Sequence, residues 1–262
     1  MSESGTKTYM LVLAYNGARF KGWQRGNGRT VQSTLEDALQ KSLGHASLGA
    51  VSSPAPVAVN GAGRTDAGVH AEGQVASVEL PASVDPHLLF DEANRMLPND
   101  LALRSITEMD GRFHARYRAT AKTYRYRLLD GPVGNPFLNR LAWRVSGTLD
   151  ADRMQSASRV FTGEHDFSAF TSDKGKKNKV RTVLSISVER TPLFGSTPLD
   201  VLIRGNGFLW NQVRIMVSAL VAAGLGESDF SSIQQVLIRG DRSLAPPPAP
   251  ARGLTLLGVE YG

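Results

Sequence analysis

Cysteine is absent from all 262 residues. Disulfide bonds, thiolate nucleophiles and cysteine-ligated zinc or iron–sulfur centres are thereby excluded, and an intracellular setting is the simplest expectation. Long apolar runs are missing too. Met1–Thr8 has no apolar signal core, and the most apolar later stretch, Ile215–Leu225, is too short to span a bilayer. The expectation is a cytoplasmic protein with no membrane partner. His70, His114 and His165 lack metal-ligand spacing and are read as structural or ligand-contacting. With 41% hydrophobic residues, the chain can still bury a substantial core in one large domain or two ordinary ones.

Acidic residues are missing from two stretches of a chain whose net charge is +6 and whose pI is about 9.7. Arg112–Arg127 holds six Lys or Arg, one His and four aromatics without an acid, and Lys174–Arg181 holds Lys174, Lys176, Lys177, Lys179 and Arg181. Cations interleaved with aromatics suit a phosphate backbone whose unpaired bases can stack. A solvated face would use the same residues in either run alone. Both runs in one basic chain point to RNA. Arg25, Arg116 and the five cations of the second run are the candidate RNA contacts.

Apolar periodicity gives the organisation. Lys7–Tyr15 reads as a strand and Asn16–Arg29 as a Gly-rich loop carrying Arg19, Lys21, Trp23 and Arg25. Thr30 reads as the N-cap of a helix with Val31, Leu35, Ala38, Leu39 and Leu43 on one face, ending at Gly44. Strands over 56–60 and 74–80, a helix opened by Asp85-Pro86 and stopped near Pro98, and a strand over 101–108 complete a β-α-β-β-α-β pattern. The second half repeats it loosely: strands near 123–129 and 141–145, a helix over 150–161, strands near 182–189 and 199–204, and helices over 208–223 and 230–238. A strand over 254–261 closes the chain, after Ala245–Pro250 as a stiff spacer. The predicted fold is α+β: two ferredoxin-like or RRM-like halves, 1–110 and 111–262, with antiparallel sheets flanking a basic central cleft.

Gly61-Ala-Gly-Arg-Thr-Asp-Ala-Gly-Val-His70 joins the two central strands of the first half. Its glycines allow a sharp turn and close approach of a planar ligand, while Arg64 can keep Asp66 ionised or hold a phosphate. A lone carboxylate in such a loop is a candidate nucleophile, although a surface turn uses the same residue types.

Seven blocks, taken together, are more specific: Tyr15-Asn-Gly with Lys21-Gly-Trp-Gln24, Thr30-Val-Gln32, Ala62-Gly-Arg-Thr-Asp-Ala-Gly-Val-His-Ala71, Phe113-His-Ala-Arg116, Lys122-Thr-Tyr-Arg-Tyr126, Gly163-Glu-His-Asp-Phe167 and Gly207-Phe-Leu-Trp-Asn-Gln-Val-Arg214. In order and content they resemble the TruA family of tRNA pseudouridine synthases. That resemblance implies a homodimer that converts uridine to pseudouridine at nucleotides 38, 39 and 40 of the tRNA anticodon stem-loop, with no cofactor and no metal. By motif position, Asp66 matches the family's catalytic aspartate, Tyr124 its uracil-contacting tyrosine and Arg214 the basic residue that pairs with the aspartate. Arg64 is implied in binding a flipped nucleotide or a phosphate. Trp210 and Asn211 stand where many bacterial members carry basic residues, and the Phe-Leu-Trp form resembles relatives with narrower position choice.

The residue types suit the chemistry. Isomerisation breaks N1–C1′, turns the uracil and forms C5–C1′, which one covalent or ion-pairing carboxylate can manage without redox equipment. Attack by Asp66 at C1′ or at C6 stays open. The target base has to leave the stem to be reached, and Tyr124 offers it a face or a hydroxyl. Phe208 and Trp210 are read as packing residues. The alternatives are a related synthase with another RNA target and a catalytically silent RNA-binding protein.

Overall fold

Strand β1 (Thr6–Tyr15) forms where β-branched and aromatic residues recur, and its alternation buries Tyr9, Leu11, Leu13 and Tyr15. The computed structural model describes residues 5–44 and 55–262; Met1–Ser4 of the N-terminal stretch lie outside them. The chain divides into two compact units, Met1–Ala119 with Leu256–Gly262, and Thr120–Thr255.

In the first unit, β1 pairs antiparallel with β3 (His70–Pro81) and β4 (Leu101–Met109), and β2 (Val59–Gly61) adds to β3. Strand β10 (Leu254–Tyr261) also lies beside β3. Helix α1 (Val31–Leu43) is capped by the Thr30 hydroxyl, which accepts from Ser33 N, and it turns Val31, Leu35 and Leu39 into the core against α2 (Pro86–Met96). Asp85 caps α2 from ahead of Pro86, whose missing N–H would have had no helical partner. Met10 and Val12, on the other face of β1, pack with Ala62, Val75, Phe113, Ala115 and Tyr261.

In the second unit, β5 (Ala119–Leu129), β9 (Leu199–Gly205), β8 (Val180–Arg190) and β7 (Gly163–Asp166) follow one another antiparallel, and β6 (Trp143–Arg144) runs parallel to β5. Helices α3 (Ala151–Ser158), α4 (Gln212–Gly224) and α5 (Phe230–Arg239) pack with the fully buried Phe161, Phe167 and Phe170 in this unit's core. The mixed α+β class with antiparallel pairing agrees with the sequence reading.

Several boundaries differ from that reading: the strands expected over 56–60, 74–80 and 141–145 run Val59–Gly61, His70–Pro81 and Trp143–Arg144, and the helix over 150–161 ends at Ser158. The helix expected from Phe208 begins at Gln212, because Asn211 sits in the left-handed region at φ 62° and interrupts right-handed winding. Strand β7 is additional to the expected strands, because Gly163-Glu-His-Asp166 offers no apolar alternation; it forms by pairing with β8.

Ion pairs make the folded chain acid-sensitive. Arg190 donates to both carboxylate oxygens of Asp130 at 2.9 and 2.8 Å, holding that carboxyl below its usual range, and Arg29 does the same for Asp100. Each group binds its proton less readily folded than unfolded. The stabilisation is therefore complete above the unfolded value of about 3.9 and is lost as pH falls through the lower folded value. Asp130→Asn is expected to flatten the acid limb of a urea-midpoint profile below about pH 5; an unchanged limb would show that the pair does not set it.

Candidate active site and nucleic-acid interface

The Asp66 loop is fixed by its surroundings from several sides. Thr65 O accepts from Trp23 N at 3.0 Å, the Thr65 hydroxyl shares a 2.8 Å hydrogen bond with the Tyr15 hydroxyl, and Gln74 Nε2 donates to Gly63 O at 3.0 Å. Asp66 O accepts from Val69 N at 3.1 Å, closing the turn, and Gly68 takes φ 81°, a conformation that favours glycine. Gly22 lies so close to this loop that a Cβ there would stand 2.8 Å from Thr65 O. Asp66 itself is half-buried and Arg64 exposed. The loop's backbone is thus held while the carboxylate-bearing residue keeps access to solvent. Burial pushes the Tyr15 hydroxyl up to about 12, so it stays protonated and can donate beneath the loop.

Tyr124 lies in β5 opposite Ile203, is buried, and meets the Phe208 ring edge-on at 5.4 Å. Phe208 in turn lies against Gly205, where a Cβ would come within 2.9 Å of its ring. Arg214 stands in the first turn of α4, half-buried; its Nε donates to Ala249 O at 2.6 Å and Nη1 to Asn211 Oδ1 at 2.8 Å. The spacer Ala245–Pro250 is therefore tied to the arginine, with Ala249 N returning a bond to Arg214 O at 3.1 Å. Phe208 packs as expected. Trp210 does not: it is 57% exposed, because the turn ahead of α4 aims it outward while its carbonyl holds Ser172 N and the Thr171 hydroxyl.

The candidate RNA contacts fall into three groups. Lys174, Lys176 and Lys177 are exposed and Lys179 half-buried on the segment that leads into β8, where Arg181, the strand's second residue, is half-buried. Asp173 Oδ1 accepts from Gly175 N and Lys176 N, which shapes the start of that turn. Arg116 is exposed in the turn between β4 and β5. Arg25 is committed within the first unit: Nε and Nη2 both reach Glu36 Oε2, and the carboxylate raises the guanidinium's proton affinity.

Sequence reasoning passes over Glu36. Glu36 is buried on α1 and also accepts from Val59 N at 3.0 Å and Gln32 Nε2 at 3.1 Å, joining helix, strand β2 and the Gly-rich loop. Its signal is a lone acid on an otherwise apolar helix face. His70 Nδ1 accepts from Gly17 N, and His114 Nδ1 from Arg116 N, so both rings serve backbone donors. Among the described residues, no group of three or more His, Asp or Glu is placed to hold a metal ion, and no helix is long and apolar enough to cross a membrane.

Comparison with known proteins places these features in one family. A family profile described as tRNA pseudouridine synthase matches residues 157–262. The tRNA pseudouridine synthase A of Bacillus sp. (strain KSM-64) is 39% identical over 97% of this chain and 99% of its own length. That of Limosilactobacillus reuteri (strain DSM 20016) is 38% identical over 97% of this chain and 96% of its own, and that of Brevibacillus brevis is 39% identical over 97% and 100%. With the Asp66 loop, Tyr124 and Arg214 all inside the matched length, the chain belongs to the tRNA pseudouridine synthase family, isomerases that act on tRNA.

Proposed function

We propose that this isomerase converts uridine to pseudouridine at nucleotides 38, 39 and 40 of the tRNA anticodon stem-loop, with Asp66 as the acting carboxylate. The observation that carries the reading is the Asp66 loop: its backbone is held by Trp23, Tyr15, Gln74 and Val69 while Asp66 is left half-buried. Such preorganisation suits a carboxylate that has to meet one atom of a flipped nucleotide. N1–C1′ breaks, the uracil turns, C5–C1′ forms, the C5 hydrogen leaves as a proton, and N1 takes up a proton, so that product and substrate are isomers.

Tyr124 is proposed to contact the uracil and Arg214 to serve as the basic partner of the aspartate, both by motif resemblance. Arg64, exposed in the same loop, is available for a phosphate or the flipped nucleotide. Two ferredoxin-like halves, a homodimeric state and a cytoplasmic location belong to the same proposal; in the first unit the antiparallel pairing of β1 with β4 and β3, and of β2 with β3, supports its half of the first. A second reading, modification of fewer than three nucleotides, is favoured by Trp210 and Asn211 in place of basic residues. Transcripts that keep uridine at only one of positions 38, 39 and 40 separate the two: pseudouridine in all three supports the broad reading, in one or two the narrow one, and in none would contradict both.

The lysine turn carries its own prediction. Neutralising Lys174, Lys176, Lys177 and Lys179 together is expected to weaken tRNA binding and to lower the slope of log affinity against log salt by about one unit for each phosphate no longer neutralised. An unchanged slope would remove this segment from the interface.

A further inference from the structure

The turn between β4 and β5 carries an aromatic stack that the reaction does not use. Tyr117 is 77% exposed, and its ring lies 4.3 Å from that of His114, tilted by 38°. Beneath the stack the turn is pinned. Phe113 and Ala115 are buried, Ala115 N donates to the Ser77 hydroxyl at 3.2 Å, and the Tyr261 hydroxyl donates to Ala115 O at 2.8 Å. His114 is fixed as well: Nδ1 accepts from Arg116 N at 3.1 Å, which leaves the ring proton on Nε2, and its carbonyl accepts from Arg118 N at 3.0 Å.

A tyrosine so exposed buries little apolar surface, so folding gains little from it. Held on a fixed histidine, however, its ring offers a flat face already ordered for a ligand, which lowers the entropy lost on binding. Arg112, Arg116 and Arg118 lie on the same turn, all exposed. The nearby acid, Asp110, accepts from Arg112 N at 2.8 Å and lies 4.0 Å from Arg118, so two positive charges remain in excess on the turn. Planar ring and guanidinium cations together match an unpaired base and its flanking phosphates. Phe113 and Ala115 share an apolar cluster with Ala62, at the base of the Asp66 loop, so this turn and the candidate active-site loop are built on common ground.

We propose that Tyr117, backed by His114 and flanked by Arg112, Arg116 and Arg118, is a stacking site for an unpaired nucleobase of the tRNA other than the reacting uridine. The inference rests on the proposed function, in which the reacting uracil is assigned to Tyr124. An acidic protein partner would use the arginines but has no need of a flat exposed ring on a fixed support.

The test compares wild type, Tyr117→Ala and Tyr117→Trp in filter binding to an unmodified tRNA transcript over a range of salt, with pseudouridine formation on the same transcript. Tyr117→Ala is expected to weaken binding about five- to 150-fold, the equivalent of about 1 to 3 kcal/mol for one stacked base. The salt slope should be unchanged, because every cation that neutralises a phosphate stays in place. Turnover at saturating tRNA should stay near wild type while KM rises, and Tyr117→Trp should restore binding. Equal affinity of wild type and Tyr117→Ala, with wild type active, would overturn the stacking site alone and leave a protein partner for the turn. Failure of tryptophan to rescue would overturn it as well. A wild type that neither binds tRNA nor forms pseudouridine would remove the proposed function, and this site with it.

Discussion

Asp66→Asn is expected to abolish release of tritium from tRNA labelled at uridine C5, by about four orders of magnitude or more, the scale on which loss of a catalytic nucleophile is measured. Binding of the same tRNA should stay within about tenfold of wild type, since affinity rests on phosphate contacts. The amide matches the carboxylate in shape, and the surrounding bonds to Thr65, Gly63 and the Asp66 carbonyl involve backbone atoms or the Thr65 hydroxyl, which the substitution leaves in place. A fall in affinity as large as the fall in rate would instead make Asp66 a structural residue.

The second large effect concerns stability. Arg127 and Asp200 face each other across β5 and β9, both buried, and Nε and Nη2 of the arginine donate to the two carboxylate oxygens at 2.7 and 2.6 Å. Asp200→Ala leaves the guanidinium buried and uncompensated, which costs about 3 to 5 kcal/mol. For a chain of this size, the unfolding midpoint should fall by roughly 6 to 20 °C. Replacing both partners by apolar residues of similar volume, Arg127→Met with Asp200→Leu, should recover most of that stability. Tyr124 stands three positions before Arg127 on the same strand, so the single variant should also lose activity at temperatures where β5 begins to loosen. An Asp200→Ala protein as stable as wild type would show that losing the carboxylate does not leave Arg127 buried and uncompensated.

Much of the fold is legible in the residues, and the reasons differ from element to element. Helix α1 combines a cap, a 3.6-residue apolar period and a glycine stop, each acting within a few residues of sequence, and it forms where they predict. The start of α4 is misread because Phe208 and Leu209 extend its apolar face, whereas Asn211 turns left-handed in a tertiary setting that no periodicity reveals. Strand β7 depends on its partner β8 and carries no local signal. Asp66, Tyr124 and Arg214 are assigned by motif resemblance. Glu36 and the Tyr15–Thr65–Gln74 network include bonds that reach across 23 to 59 residues of sequence, and such distances leave no periodic trace. Tyr117 is one aromatic in a basic run until its exposure and its histidine support distinguish it.

The role of Asp66 in forming pseudouridine is tested most sharply by nucleotide-resolution mapping of an unmodified tRNA incubated with wild-type protein and, in parallel, with Asp66→Asn. New pseudouridine within nucleotides 38 to 40 is expected with wild type and none with the variant. Pseudouridine confined to another part of the tRNA, or formed equally well by Asp66→Asn, would contradict the proposed function.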